Sequence, residues 1–123
     1  MKKYTKTHEW IEVDGKTATI GITNYAQEQL GDIVYVDAPA DDDEMEKGDT
    51  LCTIESVKSA NDVYIPVSGK ITAINEELED APEKINEAAE SDGWIVKVNL
   101  DDESELEEYM DEDDYKEFVE NAE

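Results

Sequence analysis

The sequence predicts a mainly β fold, a sandwich of short antiparallel strands with small helices and a helical C-terminal segment. Three observations predict it. Runs rich in β-branched and aromatic residues recur at 10–13, 17–20, 33–36, 51–57, 63–67, 70–75 and 94–100, each near the length of a strand. Turn formers separate them: Asp14-Gly15, Gly31, Pro39, Gly48 and Gly69. Past residue 100 the apolar spacing changes to a helical one.

Each element has its local reason. Residues 10–13 and 17–20 flank Asp14-Gly15, the strongest short hairpin signal in the chain. Ala18 and Ile20 fall on one face, Thr17 and Thr19 on the other. Residues 24–30 read as a short helix with Asn24 as its cap, Gln27 at the third helical position and Gly31 as its stop. Residues 33–36 form a strand that ends before Pro39. The acidic stretch 40–49 reads as a loop or solvated edge, since its oxygen donors do not follow a calcium-loop spacing. After Gly69, residues 70–75 form a strand with Ile71 and Ala73 on one face. Asp80, Pro82 and Glu83 predict the capped start of a helix reaching Asn86 or Ala88. Trp94, Val96, Val98 and Leu100 then share one strand face. Residues 101–123 hold 13 acidic residues and one lysine, yet Leu106, Tyr109 and Met110, then Tyr115, Phe118 and Val119, keep helical spacing. Two short helices are expected there, the second capped by Asp111.

The centre of the pattern is the stretch 48–69. Two apolar strands flank ESVKSAND, which places Lys58 at or near the tip of a reversal. The segment has no Asn-Gly or Asp-Gly, so its turn type stays open. A lysine at a turn is ordinarily a solvated end. A lysine can also act as a Schiff-base nucleophile if burial lowers its pKa, but a turn position opposes burial. A projecting amine suits a covalent swinging cofactor held above a rigid support.

Composition excludes several classes. There are 35 acidic residues against 10 basic ones, all lysine, for a net charge of −25. Such a surface repels nucleic acid and anionic membranes and can steer basic partner proteins. Most of these carboxylates serve solubility or adaptation to salt. No 18-residue apolar stretch occurs, and the N-terminus lacks the apolar core of a secretory signal. Cys52 is the one cysteine, which excludes an intramolecular disulfide and a thiolate metal cluster. A cytoplasmic location is the simplest expectation. His8, the one histidine, is available as a base or ligand, but a surface or packing role is expected, with Trp10 in the core. No P-loop, GxGxxG, GxSxG or HExxH motif appears.

Five stretches, in order, carry a family resemblance: YTKTHEW at 4–10, ATIGITNYAQEQLGDIVYVD at 18–37, IESVKSANDVYIPVSG at 54–69, DGWIVKVNL at 92–100 and DEDDYKEFV at 111–119. Together they resemble the H-protein family of the glycine cleavage system nearly end to end. The resemblance implies a flattened barrel-sandwich hybrid of the lipoyl/biotinyl carrier type. One domain would span 1–123, with the carrier fold over about 18–100 and acidic helices over about 101–120. The lysine lacks the flanking methionines of a biotin carrier and the preceding aspartate of acyltransferase lipoyl domains; Val57 and Ser59 stand there instead. Around 81–89 the chain has Ala81-Pro82 and Glu87-Ala88-Ala89 where the family commonly has asparagine-proline and acidic-proline pairs.

By this resemblance Lys58 bears lipoate through an amide bond, and the protein is a carrier, not an enzyme. It would take an aminomethyl group from pyridoxal-phosphate glycine decarboxylase to aminomethyltransferase, which uses tetrahydrofolate. Its dithiol arm would be reoxidised by dihydrolipoyl dehydrogenase with FAD and NAD. Glu55 and Ser59 would help lipoate-attaching enzymes recognise the site. Glu9, Asp62 and the 22–30 region would line a cleft that shelters the loaded arm. A monomer with transient complexes is expected. Two alternatives remain at this stage: an H-like protein that stores or relays lipoyl groups for other enzymes, and an acidic interaction module.

Overall fold

Strand alternation divides the chain between two antiparallel sheets. The computed structural model describes residues 2–37 and 43–122. The larger sheet contains β1 (Lys2–Tyr4), β2 (Glu9–Asp14), β3 (Thr17–Ile22), β5 (Glu44–Met45), β8 (Gly69–Ile74) and β9 (Val96–Leu100), in the order β1-β2-β3-β9-β8-β5. The smaller contains β4 (Ile33–Asp37), β6 (Thr50–Ser56) and β7 (Ala60–Tyr64), with β6 central. Among the described residues four α-helices join or flank them: α1 (Asn24–Leu30), α2 (Glu77–Asp80), α3 (Lys84–Ala88) and α4 (Glu112–Ala122). A 3-10 helix spans Glu103–Glu108.

The inward residues of both sheets form one apolar core. Ile11, Ala18, Ile20, Ile71 and Val98 from the larger sheet meet Val36, Ile54 and Val63 from the smaller, and Leu78, Ile85 and Leu106 join them from the helical segments. Ala18 and Ile20 are fully buried, as their alternation predicts. Asp14 pairs with Thr17, so Gly15 and Lys16 form the turn itself. Trp10 points to the opposite face from Ile11 and builds a second cluster with Tyr4 and Tyr115. Its indole N–H donates to the Ala89 carbonyl at 2.8 Å. The rings of Tyr4 and Tyr115 stack at 4.8 Å. The acidic tail is therefore a covering layer with an aromatic inner face. Each large buried side chain adds on the order of 2 kcal/mol relative to exposure.

Several local expectations are corrected. β1 has no alternating signal in the sequence; three residues of it are held by pairing with β2. The cap of α1 is Thr23, not Asn24: its hydroxyl accepts from Ala26 N–H at 3.2 Å while also bonding the Tyr115 hydroxyl at 2.7 Å. Asp80 closes α2 and does not cap the next helix, and Glu83 makes no side-chain cap at α3. Trp94 precedes β9 and joins the second cluster, while adjacent Ile95 and Val96 are both buried. A bulge between Ile71 and Ala73 breaks their shared alternation. Glu44 and Met45 form a short strand against Lys70 and Gly69, and the preceding residues 38–42 lie outside the described ones. The first tail helix is 3-10. The second is capped as expected, Asp114 N–H donating to the Asp111 carboxylate at 2.9 Å.

The aromatic layer sets an alkaline limit. Burial, with help from Glu90, pushes the Tyr4 phenol well above its ordinary value of 10.0. Burial and Glu108 do the same for Tyr109, and burial moves Tyr115 up to about 12. The fold thus favours the neutral phenols over their phenolates. The stability they contribute is present below about pH 10 and is lost as pH rises from there through the folded values. The melting temperature is expected to stay level up to pH 10 and fall steeply above it. Resolved residue by residue, the phenolates of Tyr4, Tyr109 and Tyr115 should appear with unfolding and not before it; early titration of these three in the native protein would contradict this.

Candidate functional site

A serine-based turn builds the site. Strands β6 and β7 pair from Thr50↔Tyr64 to Glu55↔Ala60, leaving Ser56-Val57-Lys58-Ser59 to reverse the chain. The Ser56 amide donates to the Ser59 carbonyl at 2.8 Å, closing the hairpin. The Ser56 hydroxyl oxygen accepts from the amides of Lys58 and Ser59, each at 3.2 Å. It takes the place that a backbone carbonyl fills in an ordinary turn, which explains why no Asn-Gly is needed. Asn61 braces the turn by donating to the Ser59 hydroxyl at 2.8 Å.

The tip is also tied from outside. The Val57 amide donates to the Asp32 carbonyl at 3.0 Å, between α1 and β4. The Lys58 stem runs over Gly31: a Cβ built there would lie 3.3 Å from Lys58 Cε and 3.8 Å from its Nζ. Gly31 has φ of 81°, which favours glycine at this helix end. Lys58 is exposed, and no ion pair engages it among the described residues. Val57 next to it in the chain, and Val34 and Tyr35 on the strand paired with β6, are exposed apolar side chains, with Tyr35 opposite Glu55 in the sheet. Glu55 is exposed beside the turn, and Ser59 helps form the turn itself.

A cleft of about 320 Å³ opens next to the hairpin, between it, α1 and the segment before β2. Ile22, Ala26 and Leu30 supply its apolar wall. Glu9 and Asp62 both line it. Glu9 is buried and accepts from the hydroxyls of Thr5, at 2.7 Å, and Thr7. Burial pushes its carboxyl above the usual range, while Thr7, Thr5 and the Tyr64 amide oppose that shift through hydrogen bonds. Glu9 is thus a buried, hydroxyl-bound carboxylate and not a surface ion pair. Asp62 is exposed and accepts from the Thr53 hydroxyl at 3.0 Å. A larger cleft, about 520 Å³, shares Thr7 and Glu9 but is lined by Tyr64, Ile65 and Pro66 in place of Asn61, Asp62 and Val63.

His8 turns its backbone into the left-handed region at φ 70° and packs its ring against Tyr25 at 4.7 Å. Its Nδ1 lies 2.8 Å from the Tyr115 hydroxyl, and burial lowers its pKa. It borders the cleft as a packing residue. Cys52 belongs to the main core, where burial moves its thiol up to about 12. Cys52 and His8 sit in different layers and form no dyad. Among the described residues no group of three or more acidic, histidine or cysteine side chains is arranged to hold a metal. Nor is any described helix long and apolar enough to cross a membrane.

Sequence reasoning missed Thr7 and Gly31's contact with Lys58, and reached Tyr25 only as part of the 22–30 region. No periodicity marks them, because each acquires its place only when the N-terminal segment and α1 pack beside the hairpin. Gly69 was expected to permit a turn; it lies in β8, pressed against β9.

The chain matches the family model described as glycine cleavage H-protein over residues 2–122. It is 57% identical over 118 residues to a glycine cleavage system H protein of Thermotoga maritima, covering 96% of this chain and 95% of that one. Against the Staphylococcus haemolyticus glycine cleavage system H protein it is 54% identical over 117 residues, with 95% and 93% covered. The crystal structure of a glycine cleavage system H protein from Mycobacterium marinum superposes with a TM-score of 0.87 at 29% identity, covering 99% of this chain and 97% of that one. By sequence along nearly its whole length and by fold, this chain belongs to the glycine cleavage H-protein family.

Proposed function

We propose that the carrier site of this protein is Lys58, joined through its Nζ to lipoate, and that the adjoining cleft shelters the cargo. Family membership makes the chain a lipoyl-bearing carrier of the glycine cleavage system and not an enzyme. One observation carries the choice of residue: Lys58 is an exposed amine on a cross-braced hairpin tip, and the strands of that hairpin line a cleft containing two carboxylates. The donor set fits the group. A free primary amine accepts an amide bond, and an apolar wall of Ile22, Ala26 and Leu30 suits an aliphatic arm. When attached, lipoate supplies the disulfide that receives the aminomethyl group and the dithiol that is later reoxidised.

The chain's own residues do the rest. The Ser56 turn holds the arm's root. Asp62 and Glu9 line the cleft and would offer carboxylate oxygens to an aminomethyl nitrogen sheltered there, where charge-assisted hydrogen bonds would slow its loss to water. Glu55 and Ser59 offer the ligase features beside the amine. The partners are glycine decarboxylase with pyridoxal phosphate, aminomethyltransferase with tetrahydrofolate, and dihydrolipoyl dehydrogenase with FAD and NAD. The strongly acidic surface steers them through basic docking faces. A free, buried Cys52 suits the reducing cytoplasm.

Intact mass and peptide mapping test this directly. After incubation with lipoate, ATP and a lipoate ligase, a gain of one lipoyl group should map to the peptide containing Lys58. An unmodified Lys58 under conditions that modify another H protein would overturn the assignment. Reconstitution with the three enzymes should then give glycine-dependent release of carbon dioxide; a lipoylated protein inactive there, yet able to pass its lipoyl group onward, would instead favour a relay role.

A further inference from the structure

We propose that Asn86, on α3, is a positioning residue of the carrier site, setting the root of the Lys58 arm and the wall of its cleft relative to one another. Asn86 lies 28 residues from Lys58 in sequence, and its side-chain hydrogen bonds go elsewhere. Its amide group ties together α1, the short link that follows it and the start of β4, with one bond to each. Nδ2 donates to the Gly31 carbonyl at 2.9 Å and to Gln27 Oε1 at 3.0 Å. Oδ1 accepts from the Ile33 amide at 2.8 Å. The link it grips is the one that meets the lysine: Asp32 accepts from the Val57 amide, and the Lys58 stem crosses Gly31.

The same three bonds hold the end of α1. That helix contributes Ala26, Gln29 and Leu30 to the cleft, yet none of its own residues is fully buried. A seven-residue helix has little stability of its own and depends on contacts such as these. No other side chain among the described residues bonds both the helix and the link. Removal of the Asn86 amide would leave the Ile33 N–H and the Gly31 carbonyl without partners and free the tip and the wall to move separately. Pre-organisation of this kind is what a site needs if it must receive the same arm repeatedly.

The inference rests on Lys58 as the attachment point, so two readouts are used, one of them independent of lipoate. In the unmodified protein, hydrogen exchange of the Val57 amide is expected to be about tenfold faster in Asn86→Ala, and also raised in Asn86→Asp, which keeps the acceptor but loses both donors. Asn75→Ala is the control. Asn75, buried where Asn86 is half-buried, donates to the Asp92 and Trp94 carbonyls at 3.0 and 2.8 Å, so its loss destabilises the fold without touching the link. In lipoylated protein loaded with the aminomethyl group, mass spectrometry should first confirm full modification at Lys58. Spontaneous release of ammonia and formaldehyde should then be several-fold faster in the Asn86 variants than in Asn75→Ala. Equal Val57 exchange in the Asn86 and Asn75 variants, or equal release rates, would overturn the proposal. Failure of lipoylation in every protein would instead reject the attachment site.

Discussion

Lys58→Arg is expected to abolish lipoylation and glycine cleavage while leaving the melting temperature within about 2 °C of the parent, as for a surface change worth no more than about 0.5 kcal/mol. The argument is chemical. Arginine keeps the positive charge and much of the aliphatic stem that lies on Gly31, but it has no primary amine to form the amide. The turn is made by Ser56 and backbone groups, so it does not depend on the lysine head group. Intact mass, a melting curve and the reconstituted assay check the three parts. Lipoylation or full carrier activity in the variant would place the attachment point elsewhere. Loss of the fold would mean that Lys58 has a structural role its exposed position does not suggest.

Gly69→Ala is expected to be the most damaging single methyl in the chain, costing about 3 kcal/mol or more. A Cβ at Gly69 would lie 2.3 Å from the Asn99 carbonyl oxygen and 2.5 Å from Val98 Cγ1. The first neighbour is backbone near one end of the β8–β9 ladder, where Asn99 pairs with Lys70, and cannot swing aside. Gly69 pairs with both Leu100 and Met45, so displacing it disturbs two ladders together. For a chain of 123 residues the melting temperature should fall by roughly 10 °C or more. The same substitution at Gly31 tests a different constraint, φ of 81° beside a flexible lysine, and should act more on the site than on the fold. A melting temperature unchanged by Gly69→Ala would show that the two strands are farther apart than described.

Much of the architecture was legible because strand alternation and turn formers are local properties. The 14–17 reversal, the buried pair Ala18 and Ile20, the Lys58 hairpin and the Asp111 cap all follow from residues within a few positions of one another. Errors appeared where a distant partner chose between local options. Thr23 caps α1 in preference to Asn24 because Tyr115 reaches it across 92 residues. β1 exists because β2 offers it an edge. Trp94 leaves the strand face because the aromatic layer under α4 takes it.

The sequence by itself determined that this is an acidic, mainly β carrier with one distinctive lysine, since those facts rest on residue types, spacing and the family pattern. Only the tertiary structure decided that Glu9 is buried between Thr5 and Thr7 and that Asn86 braces the loop under the lysine. The physical reason is that a side-chain carboxylate or amide has no preference legible along the chain. Its role depends on which polar groups burial leaves beside it, and that is settled when the sheets and helices close together.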